Sequence, residues 1–372
     1  MSWSGEHISI TKSPGQNHGE YQPSFRHITY LKMANQAWQL TAPGAITLND
    51  LETPIPKPGS YQALVRIHAV ALNPGDNLLA NFSDKYPVKA KLGQILATDG
   101  AGVIEEPGPH SIWKKGDRVV IHPSKWLSGP QENMTFDSFA GTTADGMLRR
   151  WLVWDDDRLF RAPSHLSLEE ASTLFVAGVT AYRALFYGSF RPQPGMTVLT
   201  QGTGGVSCFA ILFAKAAGMK VVATSSSDEK LEVARKLGAD STINYRTTPE
   251  WGQEARKLTG GKGVDLVVDI VGGPSLVQAI RATRFGGGIA VLGQLVDEPT
   301  AEINTSQILG GALTIFGQAG SGSKEVSDEM SNFVEEHRLR PQIARVFEWE
   351  EADQALKALE RLSAPGKIVV RV

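Results

Sequence analysis

From Thr197 to Leu292, short apolar runs alternate with longer mixed stretches, and the alternation itself predicts an architecture. The runs Thr197–Thr200, Lys220–Thr224, Ser241–Asn244, Leu266–Asp269 and Gly288–Leu292 read as buried strands. Val206–Ala217, Asp228–Leu237 and Ser275–Thr283 read as helices between them. Strands alternating with helices predict an α/β fold with a doubly wound parallel sheet. Just upstream, Ser167 followed by Glu170 forms a capping box that opens an apolar helix through Leu174, and a second helix is expected over Thr180–Phe186.

Before about Phe160 the pattern changes to irregular β structure. Ala63–Ala71 alternates, with Val65, Ile67, Ala69 and Ala71 on one side and Arg66 and His68 on the other. Lys57-Pro58-Gly59, Asn73-Pro74-Gly75-Asp76 and Lys115-Gly116-Asp117 read as turns, the last one before a strand Arg118–Ile121. After the helix-rich segment, helices Val326–His337 and Glu351–Leu362 lead to a final strand, Lys367–Val372.

Residues 1–32 carry no periodic apolar pattern and no apolar core of a secretion signal. Arg26 is their single arginine and Glu6 and Glu20 are acidic, which argues against a mitochondrial presequence. A polar extension is expected there, with a docking segment as the alternative. The 372 residues suffice for two domains. Lys plus Arg (37) nearly balances Asp plus Glu (39), so neither nucleic acid nor an anionic membrane is an expected partner. No apolar run approaches the ~20 residues that span a bilayer. The lone cysteine, Cys208, excludes an intrachain disulfide and favours a cytoplasmic location.

The chemistry starts at Gln201-Gly202-Thr203-Gly204-Gly205-Val206-Ser207, which follows a strand and opens a helix. That is the setting of a dinucleotide fingerprint: Gly202 permits the tight turn, Gly204 lets backbone approach a pyrophosphate, and the helix N-terminus offers free N–H groups. Ser207 stands where the pattern asks for Gly or Ala, and a serine is small enough to keep helix and strand close. An NAD enzyme places an acidic residue about 20 positions on. Ser225 and Ser226 occupy that place, with Lys230 one turn into the next helix and Tyr245 and Arg246 able to close the pocket. This set favours NADPH. Asp228 argues the other way, and Lys230 and Arg246 have a plain alternative as surface charges.

The chain from Ala34 to Val372 resembles the medium-chain dehydrogenase/reductase superfamily. The resemblance rests on Leu72-Asn73-Pro74-Gly75-Asp76, Asp99-Gly100-Ala101-Gly102-Val103, Gly116-Asp117-Arg118-Val119 and Ala177-Gly178-Val179-Thr180-Ala181. The glycine turn, Lys230-Leu231, Leu237-Gly238-Ala239-Asp240 and Pro365-Gly366-Lys367-Ile368-Val369 complete it. It implies a GroES-like β-barrel catalytic domain (33–162 and 319–372) and a Rossmann dinucleotide-binding domain (163–318), with nicotinamide and substrate between them. The zinc branch of that superfamily carries a cysteine where Asn73 stands and a histidine where Thr98 stands, and four clustered cysteines besides. No metal is therefore expected, and the eight histidines show no ligand spacing.

The nearest resemblance is to the zinc-independent, quinone oxidoreductase-like branch, which reduces quinones, enones and related activated alkenes. It implies Asn73, Thr180, Gly293, Gln294, Phe316 and Gly317 near the nicotinamide. Asp269 and Val271 belong to the same carboxyl edge of the sheet. For Phe316, core packing or a subunit contact is the alternative. Some relatives place a tyrosine near the Asn73 segment, but Pro74 and Gly75 fill that stretch here. Tyr86 and Lys125 are the candidate proton donors and Trp126 the candidate stacking platform, each with surface or core packing as the competing role. A zinc-free carbonyl reductase or alcohol dehydrogenase, and a non-catalytic NADPH-binding protein, are the competing functions. By analogy with relatives, Leu313–Gly317 could pair two chains into a homodimer.

Overall fold

The computed structural model describes residues 35–51, 54–135, 139–361 and 364–372. The extension expected over 1–32 lies outside the described residues. A hairpin comes first, β1 (Gln36–Ala42) and β2 (Ala45–Asp50), turned through Gly44 at φ +71°. There follow β3 (Gln62–Leu72), helix α1 (Pro74–Ala80), β4 (Asp99–Pro107), β5 (Arg118–Ile121), β6 (Trp151–Asp155) and β7 (Leu159–Arg161). Helices α2 (Leu168–Ser172) and α3 (Thr180–Phe186) lead into a βα series. It comprises β8 (Thr197–Gln201), α4 (Gly205–Ala216), β9 (Lys220–Ser225), α5 (Asp228–Lys236), β10 (Ser241–Asn244) and α6 (Trp251–Leu258). It continues with β11 (Val264–Asp269), α7 (Ser275–Ala282), β12 (Thr283–Val291), α8 (Thr305–Gly311) and β13 (Thr314–Gly317). Helix α9 (Lys324–Glu336), β14 (Ile343–Phe347), α10 (Ala352–Ala358) and β15 (Lys367–Arg371) end the chain.

The six strands β8 to β13 form one parallel sheet in the order β10-β9-β8-β11-β12-β13. The order reverses beside β8, so this is the doubly wound arrangement, with its ligand crevice outside the carboxyl ends of the central strands. Burial on both faces explains the continuous apolar runs. Val198, Val221 and Val268 enter one core with Phe213 and Ala210 of α4, while their neighbours Leu199, Val222 and Val267 enter another with Trp251 and Ile280. Each such side chain contributes roughly 1.5–3 kcal/mol by leaving water.

The second sheet runs β14-β15-β3-β4-β5-β7, with β6 on the remaining length of β3. β15 returns from the end of the chain to lie antiparallel to β3, placing Ile368 opposite Leu72. Its core gathers Val65, Ile67, Ile95, Ile104 and Ile121 with Phe347 and Leu356. Val65 and Ile67 share this core as the alternation predicts, but a register shift between Ile67 and Ala69 turns Val70 and Leu72 into it instead and sends Ala69 and Ala71 to a separate cluster with Val369.

Three local features differ from the sequence reading. Asn73-Pro74-Gly75-Asp76 is the first turn of α1, with proline at the start of the helix and the Asp76 carboxylate accepting the Asn73 N–H at 2.7 Å. A helix, α6, follows β10 where none was expected. The helix opened by Ser167 stops at Ser172 and continues as a π-helical stretch over Leu174–Val179. There the Val176 N–H donates to Asp99 Oδ1 at 2.9 Å, so the helix widens where a side chain from the other sheet captures its backbone. Among the described residues no helix is long and apolar enough to cross a membrane.

Candidate functional site

The glycine turn joins the end of β8 to the start of α4 and borders a cleft of about 1370 Å³ between the two sheets. Gly202 takes φ +73°, a conformation that disfavours any side chain. A Cβ on Gly204 would meet no atom within 4 Å, so this backbone faces open space. The α4 N-terminus behind it leaves N–H groups free to meet an anion. Ser207 is fully buried and its hydroxyl donates to the Gln201 carbonyl at 2.7 Å. The serine in the third position of the fingerprint thus fastens the helix to the strand it follows.

At the end of β9, Ser225, Ser226, Lys230 and Tyr245 line the same cleft. Ser225 is buried, with its Oγ 3.3 Å from the Thr203 Oγ1. Ser226 is more open. The Asp228 carboxylate accepts a hydrogen bond from Asn244 Nδ2 at 3.0 Å, and Asp228 is not part of the cleft lining. Arg246 is exposed and off the cleft wall.

The floor of the cleft holds a polar cluster that motif reading missed. Lys367, at the start of β15, is buried to 4% exposure. Its Nζ donates to Asn73 Oδ1 and lies 3.2 Å from Asp99 Oδ2. Asn73 Nδ2 donates to the same Asp99 oxygen at 3.0 Å. Both ends of the Asn73 amide are thereby occupied. Asp99 binds Lys367, Asn73 and Val176 at once, joining segments that lie far apart along the chain. Asp76 lies beside this cluster, and its carboxyl is pushed up to about 7, chiefly by burial; the Asn73 N–H opposes the rise and the Asp99 charge adds to it. Gly205 is required here for a packing reason, because a Cβ would sit 2.6 Å from Lys367 Cδ.

The cleft wall includes, of the residues singled out in the sequence, Asn73, Thr180, Gly202, Thr203, Gly204, Gly205 and Val206. It also includes Ser225, Ser226, Lys230, Tyr245, Val271 and Gly293. The others lie elsewhere. Asp269 is fully buried and its Oδ1 accepts the N–H groups of Val271 and Gly272, both at 2.9 Å. It shapes the turn after β11 from behind the wall. Gln294 is exposed beyond Gly293. Phe316 and Gly317 sit on β13, the outer strand, where the Phe316 ring packs so close to Gly188 that a Cβ there would be 2.5 Å from it.

The candidate proton donors and platform also lie off the cleft lining. Lys125 is exposed and away from the wall. Trp126 is buried at 4%, donates its indole N–H to Gly129 O at 3.2 Å, and lies under the Arg183 guanidinium. Its carbonyl accepts the Lys324 N–H at the start of α9, so it anchors a loop. Tyr86 packs on the α1 turn, its ring 2.9 Å from where a Gly75 Cβ would be. Burial, and then the neighbouring Asp76 charge, push its phenol up to about 12. It touches the Asn73 segment from outside the cleft. His122 is a core histidine, edge-on to Phe175 at 4.8 Å, and burial lowers it to about 3. Burial likewise raises the Cys208 thiol to about 12, which leaves it an inert packing group. Leu295 and Val296 line the cleft, and the next residue, Asp297, pairs with Lys85 of the opposite sheet's loop.

Comparison with known proteins agrees with this geometry. Residues 59–164 match the family model described as alcohol dehydrogenase GroES-like domain, and residues 205–336 match that described as zinc-binding dehydrogenase. A zinc-type alcohol dehydrogenase-like protein of Schizosaccharomyces pombe is 37% identical over 318 residues, 84% of this chain and 91% of that protein. Human quinone oxidoreductase is 26% identical, over 91% of this chain and 98% of its own length. A crystal structure of an NAD-dependent alcohol dehydrogenase superposes with a TM-score of 0.81 at 32% identity, covering 91% and 99% of the two chains. With a GroES-like fold, a doubly wound sheet and a glycine turn at the cleft between them, the chain belongs to the medium-chain dehydrogenase/reductase superfamily and is an oxidoreductase of that family.

Proposed function

We propose that this oxidoreductase uses NADPH to reduce an activated alkene or quinone-type small molecule, and that it does so without zinc. The observation that carries the cofactor choice is the end of β9. Ser225, Ser226, Lys230 and Tyr245 line the cleft wall there, and the Asp228 carboxylate, three positions after Ser225, is held by Asn244 and is not part of that wall. A 2′-phosphate would find hydroxyl donors and an ammonium at that point, and Glu360, from the C-terminal segment, is the acidic residue among the described residues that line the cleft. The turn Gly202–Gly205 and the α4 N-terminus would hold the pyrophosphate, and Thr180, Val271 and Gly293 would flank the nicotinamide.

The donor set does not fit a zinc ion. Asn73 spends its amide on Lys367 and Asp99, and an ammonium already stands among the oxygens there. Among the described residues no three His, Cys, Asp or Glu side chains gather in a metal-binding group.

NADPH, when bound, supplies a hydride to an electron-poor carbon of the acceptor. The chain's own contribution is position and dryness. Leu72, Pro74, Leu292 and Val296 line the inner cleft and exclude water from the reacting carbon. Asn73 gives one Nδ2 hydrogen to Asp99, and Tyr86 and Lys125 lie off the wall, so the developing negative charge is met mainly by solvent at the cleft mouth. An electron-poor quinone or enone tolerates that arrangement, whereas an unactivated carbonyl needs a stronger acid or a Lewis acid.

The reading carries three further parts. The GroES-like domain spans 33–162 with 319–372, and the Rossmann domain spans 163–318; β15 pairing with β3 supports the return. The outer edge of β13 pairs two chains into a homodimer, which light scattering showing a monomer would reject. The cytoplasm suits a chain whose single thiol is buried.

The test is NADPH oxidation, with NADH alongside, against quinones, enones and aldehydes. Turnover of quinones or enones with NADPH preferred is the expected result. Preference for aldehydes would move the protein to a zinc-free carbonyl reductase. Saturable NADPH binding with no turnover on any acceptor would make it a binding protein.

A further inference from the structure

The cleft has two walls of different origin. One is the carboxyl edge of the parallel sheet, ending in Ser225, Ser226 and Lys230. The other is formed by β14 and the start of β15, including Arg345, Phe347 and Gly366. Thr203 fixes where they meet. Its carbonyl accepts the Gly366 N–H at 2.9 Å, and its hydroxyl lies 3.3 Å from that of Ser225. Gly204 and Gly366 add a β-bridge, and Gln342, just before β14, accepts the Lys367 N–H at 3.0 Å. The β14 wall therefore approaches the parallel sheet beside the end of β9.

The cations on these walls are not equivalent. Lys367 is committed to Asp99, and Lys357 to Asp353 at 3.3 Å. Lys230 and Arg345 line the cleft and have no ion-pair partner among the described residues. They sit on opposite walls. The Arg345 guanidinium lies 4.1 Å from the centre of the Phe347 ring, itself buried at 2%. A guanidinium resting on a fixed ring keeps its forked donors available and loses little freedom on binding an anion.

We propose that Arg345 is a specificity-determining residue: it grips the 2′-phosphate of the cofactor from the β14 wall while Ser226 and Lys230 hold it from the β9 wall. The inference rests on the NADPH reading above. A dianion between two unpaired cations gains from both, and a bidentate guanidinium contact is among the stronger phosphate contacts. A cofactor lacking that phosphate gains nothing from Arg345.

The experiment compares 2′,5′-ADP with 5′-AMP, which differ only in the 2′-phosphate, by calorimetric titration of the full chain. The intact protein is expected to bind 2′,5′-ADP at least ten-fold more tightly. Arg345→Gln is expected to lower that ratio on the order of ten-fold by weakening 2′,5′-ADP alone. Arg345→Lys recovers part of the loss, because it keeps the charge without the fork, and Lys230→Gln lowers the ratio as well. Arg345 is exposed, and an unchanged thermal melt for its variants shows that they fold. No preference in the intact protein would overturn the NADPH reading and the inference together. A ratio lost in Lys230→Gln but retained in Arg345→Gln would overturn the inference and leave the reading standing. Equal weakening of both ligands by Arg345→Gln would also overturn it, because the contact would then lie outside the 2′-phosphate.

Discussion

Replacing Asp76 by asparagine should make the protein more stable at alkaline pH, although the residue is buried and hydrogen-bonded. The Asp76 carboxyl has an ordinary value of 3.8 and is pushed up to about 7 in the fold. The folded chain therefore holds this proton more tightly than the unfolded chain. The stability it contributes is complete below about pH 4 and is lost as the pH rises through about 7. Full ionisation costs the folded state on the order of 4 kcal/mol, of which about 2–3 kcal/mol falls between pH 5 and pH 8. Asparagine keeps the shape and an oxygen for the Asn73 N–H, now accepted at 2.7 Å, and removes the charge. It also leaves the Lys367–Asp99 pair with balanced charges. Urea unfolding of the two proteins at pH 5, 6, 7 and 8 should show the original chain losing stability relative to Asp76→Asn by that amount. Parallel pH profiles would refute the reasoning, because they would mean that Asp76 titrates alike in both states.

Four other outcomes follow from the same geometry. Ser225→Asp puts a carboxylate at the end of β9 and should raise the KM for NADPH at least ten-fold with little effect on NADH, by charge repulsion; equal effects in steady-state kinetics would refute the cofactor assignment. Gly205→Ala drives a methyl toward Lys367 Cδ, 2.6 Å away, and should cost roughly 1–3 kcal/mol in denaturant unfolding as the buried lysine shifts. Lys125→Ala should leave turnover within about two-fold of the original, since the charge of an exposed side chain away from the wall is largely screened by solvent. Elemental analysis of the purified protein should find no stoichiometric zinc, and one bound equivalent per chain would overturn the donor-set argument.

The parallel sheet was legible because its determinants are local. The run Leu266-Val267-Val268 is apolar at three successive positions and so on both faces, and the turn after β8 carries its glycines in sequence order. The same locality misled at α1. Asn-Pro-Gly-Asp has the composition of a turn, and only the Asp76 carboxylate folded back on the Asn73 N–H shows a helix start. The π-helical stretch had no signal of its own, because its cause is Asp99, 77 positions upstream of Val176. Lys367 was visible as part of a family pattern but not as a buried cation, since its partner Asn73 is 294 positions away. Trp126 and Phe316, the candidate substrate contacts, lie off the cleft lining and pack against protein instead. Aromatic residues in loops and edge strands satisfy packing as readily as binding, and the sequence contains no term that separates the two.

The bonds between Thr203 and Gly366 and the bridge between Gly204 and Gly366 constrain how the cleft can open. They tie the cofactor-facing turn of one sheet to the residue just before the last strand of the other. Any movement that preserves them must be a rotation about this point, as a door turns on its pin. Displacement then grows with distance from the pin. The ion pair between Lys85 and Asp297 lies on loops beyond it and would break if the walls swung apart there. The turn meant to receive the pyrophosphate would stay almost still throughout, which lets a dinucleotide find its anchor before the walls come together.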